Sequence, residues 1–403
     1  MIAFEEALAL VLKESRDFGS VSIATMDAMG RILREDLIAD RDFPPYDRVT
    51  MDGIAINFQA FAAGKRSFII EGIAAAGAPQ KTLQHLDNCL EVMTGAMLPV
   101  NADTVIRYED LQIENGVAKL EIDALEAWKN IHRQGSDRAI GTKLVSRGSI
   151  IGAAEIGVAA TVGKTSLSVA QLPKIAVIAT GDELVEIDEK PLPHQIRKSN
   201  LYTIAASLKQ INLEVSLHHL VDDLESVKKE LEVLVSDNQI LVLSGGVSKG
   251  KYDYLPEALQ YIGVEQLFHR VKQRPGKPFW FGKAPNGTLV FALPGNPVSS
   301  FMCTRRYLIP FLEKSLIGDI SKPQWAVLAE DFRFKPDLTY FLQVELSTNE
   351  KGQLMAKPVE GNGSGDLANL TDANAFMQLP RGKDFFEQGG VYPVFPFQIG
   401  ASY

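Results

Sequence analysis

Cysteine is scarce in this chain of 403 residues, which contains only Cys89 and Cys303. Two thiols cannot build the disulfide framework on which small secreted proteins depend. They lie far apart and neither belongs to a Cys-x-x-Cys pair, so a thiolate zinc site is excluded as well. We therefore expect a protein of the reducing cytoplasm, with Cys303 packed inside a helix-like segment.

An excess of positive charge is also missing. Lysine and arginine total 41, whereas aspartate and glutamate total 50, so the formal net charge is −9. An acidic chain of this kind is a poor candidate for general nucleic-acid binding, because the phosphate backbone attracts basic surfaces. Local basic clusters can still hold small anions, and we expect no nucleic-acid partner.

Long hydrophobic runs are absent, since none approaches the ~18 apolar residues that a membrane span needs. The N-terminus carries Glu5 and Glu6 where a signal peptide would carry lysine or arginine. Its apolar residues recur at helical spacing, which predicts an amphipathic helix. We expect neither a signal peptide nor a membrane partner.

Several familiar catalytic motifs do not occur. The chain has neither the phosphate-binding pattern GxxxxGK[ST] nor the zinc pattern HExxH. GxSxG appears only as GNGSG at 361–365, outside a strand–turn–helix context, and we interpret it as a loop. His218 and His219 lie in a strand pattern, so at most one faces a core, and a metal role is disfavoured.

The local pattern changes several times along the chain. Residues 1–40 predict mainly helix, and the two prolines within 40–47 force extended or turn backbone. Residues 48–137 combine glycines with short apolar runs that favour β-structure. Residues 318–403 return to short strands separated by turn residues, which predicts a small all-β domain.

Residues 173–317 carry the clearest pattern. Continuous β-branched runs such as KIAVIAT (174–180) and QILVLSGG (239–246) alternate with segments of helical spacing such as 223–237. Strands that are apolar on both faces and alternate with helices predict a doubly wound parallel sheet. The fold class is therefore α/β plus β, in several domains.

Ligands of doubly wound sheets bind at the carboxyl ends of the strands. Small and polar residues follow three of the predicted strands. These candidate ligand-binding residues are Thr180, Gly181, Asp182, Glu183, Ser244, Gly245, Gly246, Ser248, Pro294, Gly295, Asn296, Pro297 and Ser299. Arg274 and Lys277 add cations, and Asp253 joins the nearby carboxylates. Each loop alone also fits a turn or a helix cap, but together they predict an oxyanion or phosphate site.

Taken in order, these motifs resemble the molybdopterin molybdenumtransferase family along nearly the whole chain. The matching segments are 44–47, 51–53, 93–96, 102–105, 135–137, 180–184, 199–200, 244–248, 275–278, 293–299 and 363–365. The doubly wound part alone is less specific, because it also resembles the adenylyltransferase that acts one step earlier.

The resemblance implies an enzyme that inserts molybdate into adenylylated molybdopterin and releases AMP, assisted by Mg²⁺. It implies an elongated homodimer whose active site lies between the doubly wound domain of one subunit and the second domain of the other. The implied domains are a discontinuous N-terminal domain (1–47 and 138–172), a β-rich domain (48–137), the doubly wound domain (173–317) and a small C-terminal β-barrel (318–403).

The resemblance also implies roles for individual residues. The catalytic set would be Asp52, Thr94, Asp137 and Glu183. Lys277 and Arg274, with Lys249 or Lys251, would neutralise the anions. The divalent ion would be held by Glu183 and Asp253 with Asp222 or Asp223, because hard cations prefer oxygen ligands. Asp52 also suits a turn or cap, although the resemblance favours the catalytic role, and the Thr94 hydroxyl equally suits a bond to backbone.

Three departures from the family pattern bear on the substrate contacts. His132 stands where arginine is usual and can bind an anion only when protonated. Arg274 stands where lysine is usual, and Lys249 and Lys251 add positive charge where the family more often has an apolar residue and an acid.

Two other functions remain open from the sequence. One is adenylyl transfer to molybdopterin, and the other is a non-catalytic scaffold that binds molybdopterin. The upstream adenylyltransferase is a further candidate partner. The sequence does not decide between molybdate and tungstate.

Overall fold

The computed structural model describes residues 1–246, 254–361 and 363–398. The first part of the chain is mainly β-structure. Its elements, in order, are α1 (Phe4–Lys13), β1 (Ser20–Ala24), β2 (Leu37–Ile38), β3 (Arg48–Val49), β4 (Gly53–Ile56), α2 (Phe58–Ala62), β5 (Ser67–Ala74), β6 (Cys89–Val92), β7 (Thr104–Arg107), β8 (Leu111–Glu114), β9 (Val117–Leu120), β10 (Ile131–His132), β11 (Lys143–Val145), α3 (Ala153–Thr161) and β12 (Ser166–Ala170).

The expectation that residues 1–40 are mainly helical is wrong. Only α1 and a 3₁₀ turn at Thr25–Ala28 are helical, whereas β1 pairs with β12 and β2 pairs with β11. Both partner strands lie more than a hundred residues further along the chain. A local pattern carries no sign of such a distant partner, and tertiary pairing overrides helix propensity here.

Strands between Gly53 and Leu120 form a six-stranded sheet, here called the first sheet, in the order β7-β4-β6-β5-β9-β8. Both faces of β4 are covered, since Ile54, Ala55 and Ile56 are fully buried. At Gly53 the neighbouring strand comes so near that an added Cβ would lie 1.8 Å from the carbonyl oxygen of Ile106. Glycine is therefore required where β4 enters the sheet.

The next part of the chain forms the α/β unit. Its elements are β13 (Ile175–Thr180), β14 (Leu184–Val185), β15 (Ile196–Arg197), α4 (Ser199–Lys209), β16 (Ser216–Leu220), α5 (Leu224–Asp237), β17 (Ile240–Ser244), α6 (Leu255–Tyr261), β18 (Glu265–His269), β19 (Gln273–Arg274), β20 (Trp280–Lys283), β21 (Leu289–Leu293), α7 (Pro297–Cys303) and α8 (Ile309–Ile317). A π-helical turn, Thr304–Leu308, joins α7 to α8.

The central sheet has the order β16-β13-β17-β21-β20-β18, and its first four strands are parallel. Strand β20 runs antiparallel to both of its neighbours, so the sheet is not parallel throughout as the sequence predicted. The strand order reverses at β13, whose neighbours β16 and β17 both follow it in the chain. This reversal is where doubly wound sheets bind ligands.

Helices cover both faces of the central sheet, which confirms the doubly wound architecture. Helices α1, α4, α7 and α8 pack on one face, and α5 and α6 pack on the other. The central strands β13, β17 and β21 are buried along their whole length. Cys303 is fully buried in α7, as expected.

The C-terminal barrel is built from β22 (Gln324–Leu328), β23 (Phe332–Arg333), β24 (Thr339–Thr348), β25 (Leu354–Pro358), β26 (Ala375–Leu379), β27 (Phe385–Phe386) and β28 (Val391–Pro396). Five of these strands close in the order β24-β25-β22-β28-β26, because β26 pairs back with β24. Strand β19 adds to the edge of β24 and ties the barrel to the central unit. None of the helices in the described part of the chain has the length and apolar character needed to cross a membrane.

A carboxylate on the first sheet anchors the loop that follows β5. Glu71 accepts hydrogen bonds from the backbone N–H groups of Gln84 and His85, from Asn88 Nδ2 and from the His85 ring. Partial burial opposes its ionisation, but these hydrogen bonds outweigh burial and lower the pKa of Glu71 to about 2.

We predict that this carboxylate stabilises the first sheet in a pH-dependent way. Because the folded-state pKa lies below the ordinary value of 4.5, its contribution is complete above about pH 4.5 and is lost as the pH falls towards 2. Glu71→Gln should therefore lower the urea midpoint at pH 7, and the difference from the natural chain should narrow at pH 3. Glu121→Gln, an exposed change on the same unit, is the control. A difference that does not depend on pH would contradict the prediction.

Candidate functional site

A cavity of about 170 Å³, here called the strand-end cavity, opens where three parallel strands of the central sheet end. Its walls come from the ends of β13, β17 and β21, from β15 and from the first turns of α4 and α7. The lining residues are Ala179, Thr180, Glu183, Leu184, Ile196, Arg197, Lys198, Ser199, Asn200, Leu201, Ser244, Gly245, Gly295, Asn296 and Pro297. The structure thus brings together Thr180, Glu183, Ser244, Gly245, Gly295, Asn296 and Pro297 from the predicted set.

Asn200 ties the strand ends together. Its Nδ2 donates to Ser244 Oγ at 2.9 Å and to the Gly295 carbonyl oxygen at 2.7 Å, which joins the end of β17 to the loop after β21. The Oδ1 of Asn200 and the Oγ1 of Thr180 are buried and have no hydrogen-bond partner among the described residues. Buried polar atoms are normally paired, so these two atoms mark positions for a polar ligand.

Glycine at 245 lets the loop pass directly over Thr180. Gly245 has a φ of +104°, and an added Cβ would lie 2.9 Å from Thr180 Oγ1. A side chain there would fill the space beside the unpaired hydroxyl. The Gly-Gly pair after β17 therefore keeps the floor of the cavity open, as the sequence pattern indicated.

Among the described residues, the cations of the cavity wall are Arg197 and Lys198, which the sequence analysis did not select. Lys198 is only 6% exposed, and its Nζ contacts Glu186 Oε1. Arg197 donates from Nε to the carbonyl oxygen of Glu189. Both residues directly precede Ser199 and Asn200, so the family match at 199–200 was the signal that could have found them.

The predicted cations Arg274 and Lys277 are not among the described residues that line this cavity, and their roles stay a prediction. The Arg274 guanidinium lies 5.9 Å from the ring of Phe334, on the side of the C-terminal barrel. Lys277 is exposed in the loop before β20. Arg274 lies near the barrel, where β19 pairs with β24. Lys277 lies just before β20, whose first residue, Trp280, pairs with Ala292 near the end of β21, so Lys277 is at the same edge of the central sheet as the cavity.

The predicted carboxylates separate into different roles. Glu183 lines the cavity, whereas Asp182 Oδ1 accepts from the backbone N–H of Asp222 at 3.0 Å. Asp223 accepts from the backbone N–H of Ser226 at 2.9 Å and caps α5, and these bonds with Ser226 lower its pKa. Its place at a helix N-terminus gives Asp223 a structural role that the sequence prediction of a metal ligand did not include.

The remaining candidates of the α/β unit either lie beside the cavity or fall outside the described residues. Gly181, Gly246, Pro294 and Ser299 lie beside the cavity without lining it, and Ser299 is buried within α7. Asn296 Nδ2 donates to Ser364 Oγ at 2.8 Å, which connects the cavity to the C-terminal barrel. Ser248, Lys249, Lys251 and Asp253 lie outside the described residues, so the predicted metal set of Glu183, Asp223 and Asp253 stays a prediction.

A second polar group lies on the first sheet. Asp52 Oδ1 accepts hydrogen bonds from the backbone N–H of Thr94 at 2.6 Å and from its Oγ1 at 2.8 Å. The Thr94 hydroxyl therefore bonds a carboxylate rather than a backbone carbonyl. The backbone and side-chain bonds from Thr94 lower the pKa of Asp52, which keeps this exposed carboxylate ionised.

Hydrogen bonds also connect the side chains of Arg48, His132 and Asp137, where β3 pairs with β10. His132 Nε2 lies 2.8 Å from Asp137 Oδ1, and its Nδ1 lies 3.1 Å from an Arg48 guanidinium nitrogen. Arginine can only donate, so Nδ1 must accept and the proton of a neutral ring must sit on Nε2, where it meets Asp137. In this arrangement His132 orients Asp137, and it is not placed as a free cation for an anion.

The strand-end cavity lies on a different part of the molecule from Asp52, Thr94 and Asp137. None of Asp52, Thr94 and Asp137 is among the described residues that line the strand-end cavity. The cavity belongs to the central sheet, and the carboxylates belong to the region of the first sheet. Within the described residues no cluster of three or more His, Cys, Asp or Glu side chains is arranged to hold a metal ion.

Comparisons with known proteins agree along the chain. Residues 2–163 match the family model of the MoeA N-terminal region (domain I and II). Residues 176–314 match a probable molybdopterin binding domain, and residues 325–397 match the MoeA C-terminal region (domain IV).

Individual relatives cover the whole length. A molybdopterin molybdenumtransferase of Synechocystis sp. is 39% identical over 98% of this chain and 100% of the relative, and one of Bacillus subtilis is 30% identical over 98% and 93%. The solved molybdopterin biosynthesis moea protein from Pyrococcus horikosii is 28% identical, covers 98% of this chain and 99% of its own, and superposes with a TM-score of 0.85. The chain belongs to the MoeA family of molybdenum-cofactor biosynthesis enzymes.

Proposed function

We propose that this chain inserts molybdate into adenylylated molybdopterin and releases AMP. The observation that carries the proposal is the strand-end cavity, in which two buried polar atoms, of Thr180 and Asn200, have no partner among the described residues. The Arg197 guanidinium in its wall favours an anionic ligand, whereas the Lys198 ammonium is already paired with Glu186, and the N-terminus of α4 adds a positive dipole end. The Thr180 hydroxyl can donate to a phosphate oxygen of a pyrophosphate-linked substrate, whereas Asn200 Oδ1 can only accept and would bind a donor of the same substrate, such as a ribose hydroxyl or a pterin N–H.

Different residues would bind the substrate and transfer protons. The Ser244 hydroxyl and the Gly245 backbone lie where they can position phosphate oxygens at the end of β17. Asp52, held ionised by Thr94, is suited to accept a proton from water or to orient it. Asp137, oriented by His132, supplies a second fixed negative charge.

A magnesium ion fits the oxygen ligands of the cavity. Glu183 offers a carboxylate there, and Mg²⁺ typically binds one or two carboxylates while substrate phosphates and water complete its six positions. When bound, the ion would stabilise the negative charge that develops on the departing AMP. We therefore propose Mg²⁺ as the assisting ion, with Glu183 as its ligand from the central sheet.

We also propose that the active enzyme is a homodimer working in the cytoplasm. The strand-end cavity and the hydrogen-bonded pair of Asp52 and Thr94 lie on separate parts of one chain. In the proposed dimer, the second copy would bring its Asp52 to the cavity of the first. Cys89 and Cys303 are free and buried, as suits a reducing compartment. The upstream adenylyltransferase is the natural source of the substrate and a candidate partner.

The test is a reconstitution with purified full-length chain, adenylylated molybdopterin, molybdate and MgCl₂. We expect AMP release and active cofactor to appear together and to need both molybdate and Mg²⁺. Consumption of ATP with molybdopterin alone would assign adenylyl transfer instead. Binding of molybdopterin without turnover would assign a scaffold. Tungstate in place of molybdate measures the metal preference.

We predict that Asn200→Asp impairs substrate binding more than turnover. The change replaces the donor that holds Ser244 and Gly295 with an acceptor and puts a negative charge in the anion cavity. KM for adenylylated molybdopterin should rise about ten-fold or more, because a like charge at short range opposes the phosphates. Asn115→Asp, which adds the same charge at the exposed β8–β9 turn, is the matched control. A KM equal to that of the control would contradict the prediction.

We predict that Thr94 sets the acid limb of the pH–rate profile. Thr94→Val removes the hydroxyl donor to Asp52, so the Asp52 pKa rises and the acid limb should move to higher pH. Thr94→Ser keeps a hydroxyl and should restore the natural profile. Asp52→Asn should lower kcat about 10²-fold or more at all pH values. Because the Asp52 pKa is lowered from 3.8, the measurement is the NMR titration of the Asp52 carboxyl group together with the initial rate of cofactor formation, both carried below pH 4. An Asp52 pKa that is the same in Thr94→Val as in the natural chain would contradict the prediction.

A further inference from the structure

A second cavity, of about 200 Å³, lies between the π-helical turn with α8 on one side and the C-terminal barrel on the other. The π turn, Thr304–Leu308, puts two successive arginines at this junction, and insertions of this kind often occur at functional sites. The cavity is lined by Arg305, Arg306, Ile309, Pro310, Glu313, Ser321, Lys322, Pro323, Gln324, Val394, Phe395, Pro396 and Gln398. It shares no lining residue with the strand-end cavity.

Arg306 is a buried cation that no carboxylate of the described residues neutralises by an ion pair. It is 7% exposed, and the ring of Phe395 covers its guanidinium at 3.2 Å from the centroid. One guanidinium nitrogen donates a long 3.4 Å bond to Gln378 Oε1, and Nε has no partner among the described residues. Aromatic contacts offset part of the cost of burying this charge, but its in-plane N–H groups are left under-used.

Burial has a measurable consequence for this guanidinium. Loss of hydration lowers the pKa of Arg306 to about 9, far below the ordinary value for arginine. An anion beside the guanidinium would favour its charged form and oppose this effect.

The other charges of the cavity add to the positive field. Arg305 donates to the Pro396 carbonyl oxygen at 2.6 Å, which fixes it at the end of β28, and Lys322 is exposed at the rim. Glu313 is the one carboxylate among the described residues of the lining, and it accepts from the backbone N–H and the hydroxyl of Ser321. Three cations therefore face one carboxylate that is already engaged.

We propose that this junction cavity binds a small tetrahedral dianion, the class that includes phosphate, sulfate and molybdate. The planar edge of a guanidinium matches two oxygens of such an anion, and the anion neutralises a charge that is costly when buried alone. Because its walls come from both α8 and β28, the bound anion would also hold the barrel against the helices. This site is separate from the proposed substrate cavity and does not depend on the proposed reaction.

The experiment titrates the full-length chain with sodium phosphate, sodium sulfate and sodium molybdate at constant ionic strength, with sodium chloride as the reference salt. Thermal unfolding and calorimetry measure stabilisation and Kd. We expect phosphate and sulfate to raise the unfolding temperature beyond the chloride reference, because a ligand that binds only the folded state stabilises it. If molybdate alone binds, its binding must still respond to the junction variants below to support the proposal.

Two single-charge variants of opposite sign test the location. Lys322→Gln should weaken phosphate binding about five-fold, and Glu313→Gln should strengthen it by a similar factor. Arg306→Met should abolish phosphate binding. A native far-ultraviolet circular dichroism spectrum is the control that shows this variant to be folded. Asn200→Asp separates the two cavities, since it should leave phosphate affinity at the junction unchanged.

Three results would overturn the proposal. The first is stabilisation by phosphate and sulfate no greater than by chloride. The second is a Kd that neither Lys322→Gln nor Glu313→Gln alters. The third is binding that Asn200→Asp abolishes, because that would place the anion in the strand-end cavity.

Discussion

The candidate site depends on how the polar ends of three buried strands are held together. Strands β13, β17 and β21 are apolar along their length, so the first polar groups appear where each strand leaves the sheet. Asn200 binds two of these ends through one amide nitrogen. Both bonds are made by donation, so a neutral residue joins the strand ends without adding negative charge, and its amide oxygen can accept a hydrogen bond only from a donor group of the ligand.

Much of the fold could be predicted because the informative residues are neighbours in sequence. The run KIAVIAT and the helical spacing of 223–237 report burial directly, and both elements form as expected. The pairing of β1 with β12 could not be predicted, since Ser20 meets Ala170 across most of the N-terminal half. The antiparallel direction of β20 could not be predicted either, because strand direction depends on how the chain connects β18 to β20 in space and not on the composition of the strand.

The candidate site was predictable in its backbone and less so in its charges. Thr180, Ser244, Gly245 and Asn296 meet as expected, because strand ends converge at one edge of a sheet. Charged side chains are long and take positions set by distant partners. Arg274 therefore lies beside Phe334, and the described cations of the wall are Arg197 and Lys198, of which Lys198 is paired with Glu186. Asp223 follows a local rule that competes with metal binding, the capping of α5.

The distribution of charge explains why the proposed site is divided. A phosphate binds best among neutral donors and cations, and a carboxylate beside it opposes binding unless a cation lies between them. Asp52 and Asp137 lie in the region of the first sheet and do not line the cavity that would bind the phosphates. Glu183 is the exception, since its carboxylate lines that cavity. Its charge disfavours a bare anion and favours one that arrives with a divalent ion, so the cavity should bind the magnesium complex of its substrate in preference to the free pyrophosphate.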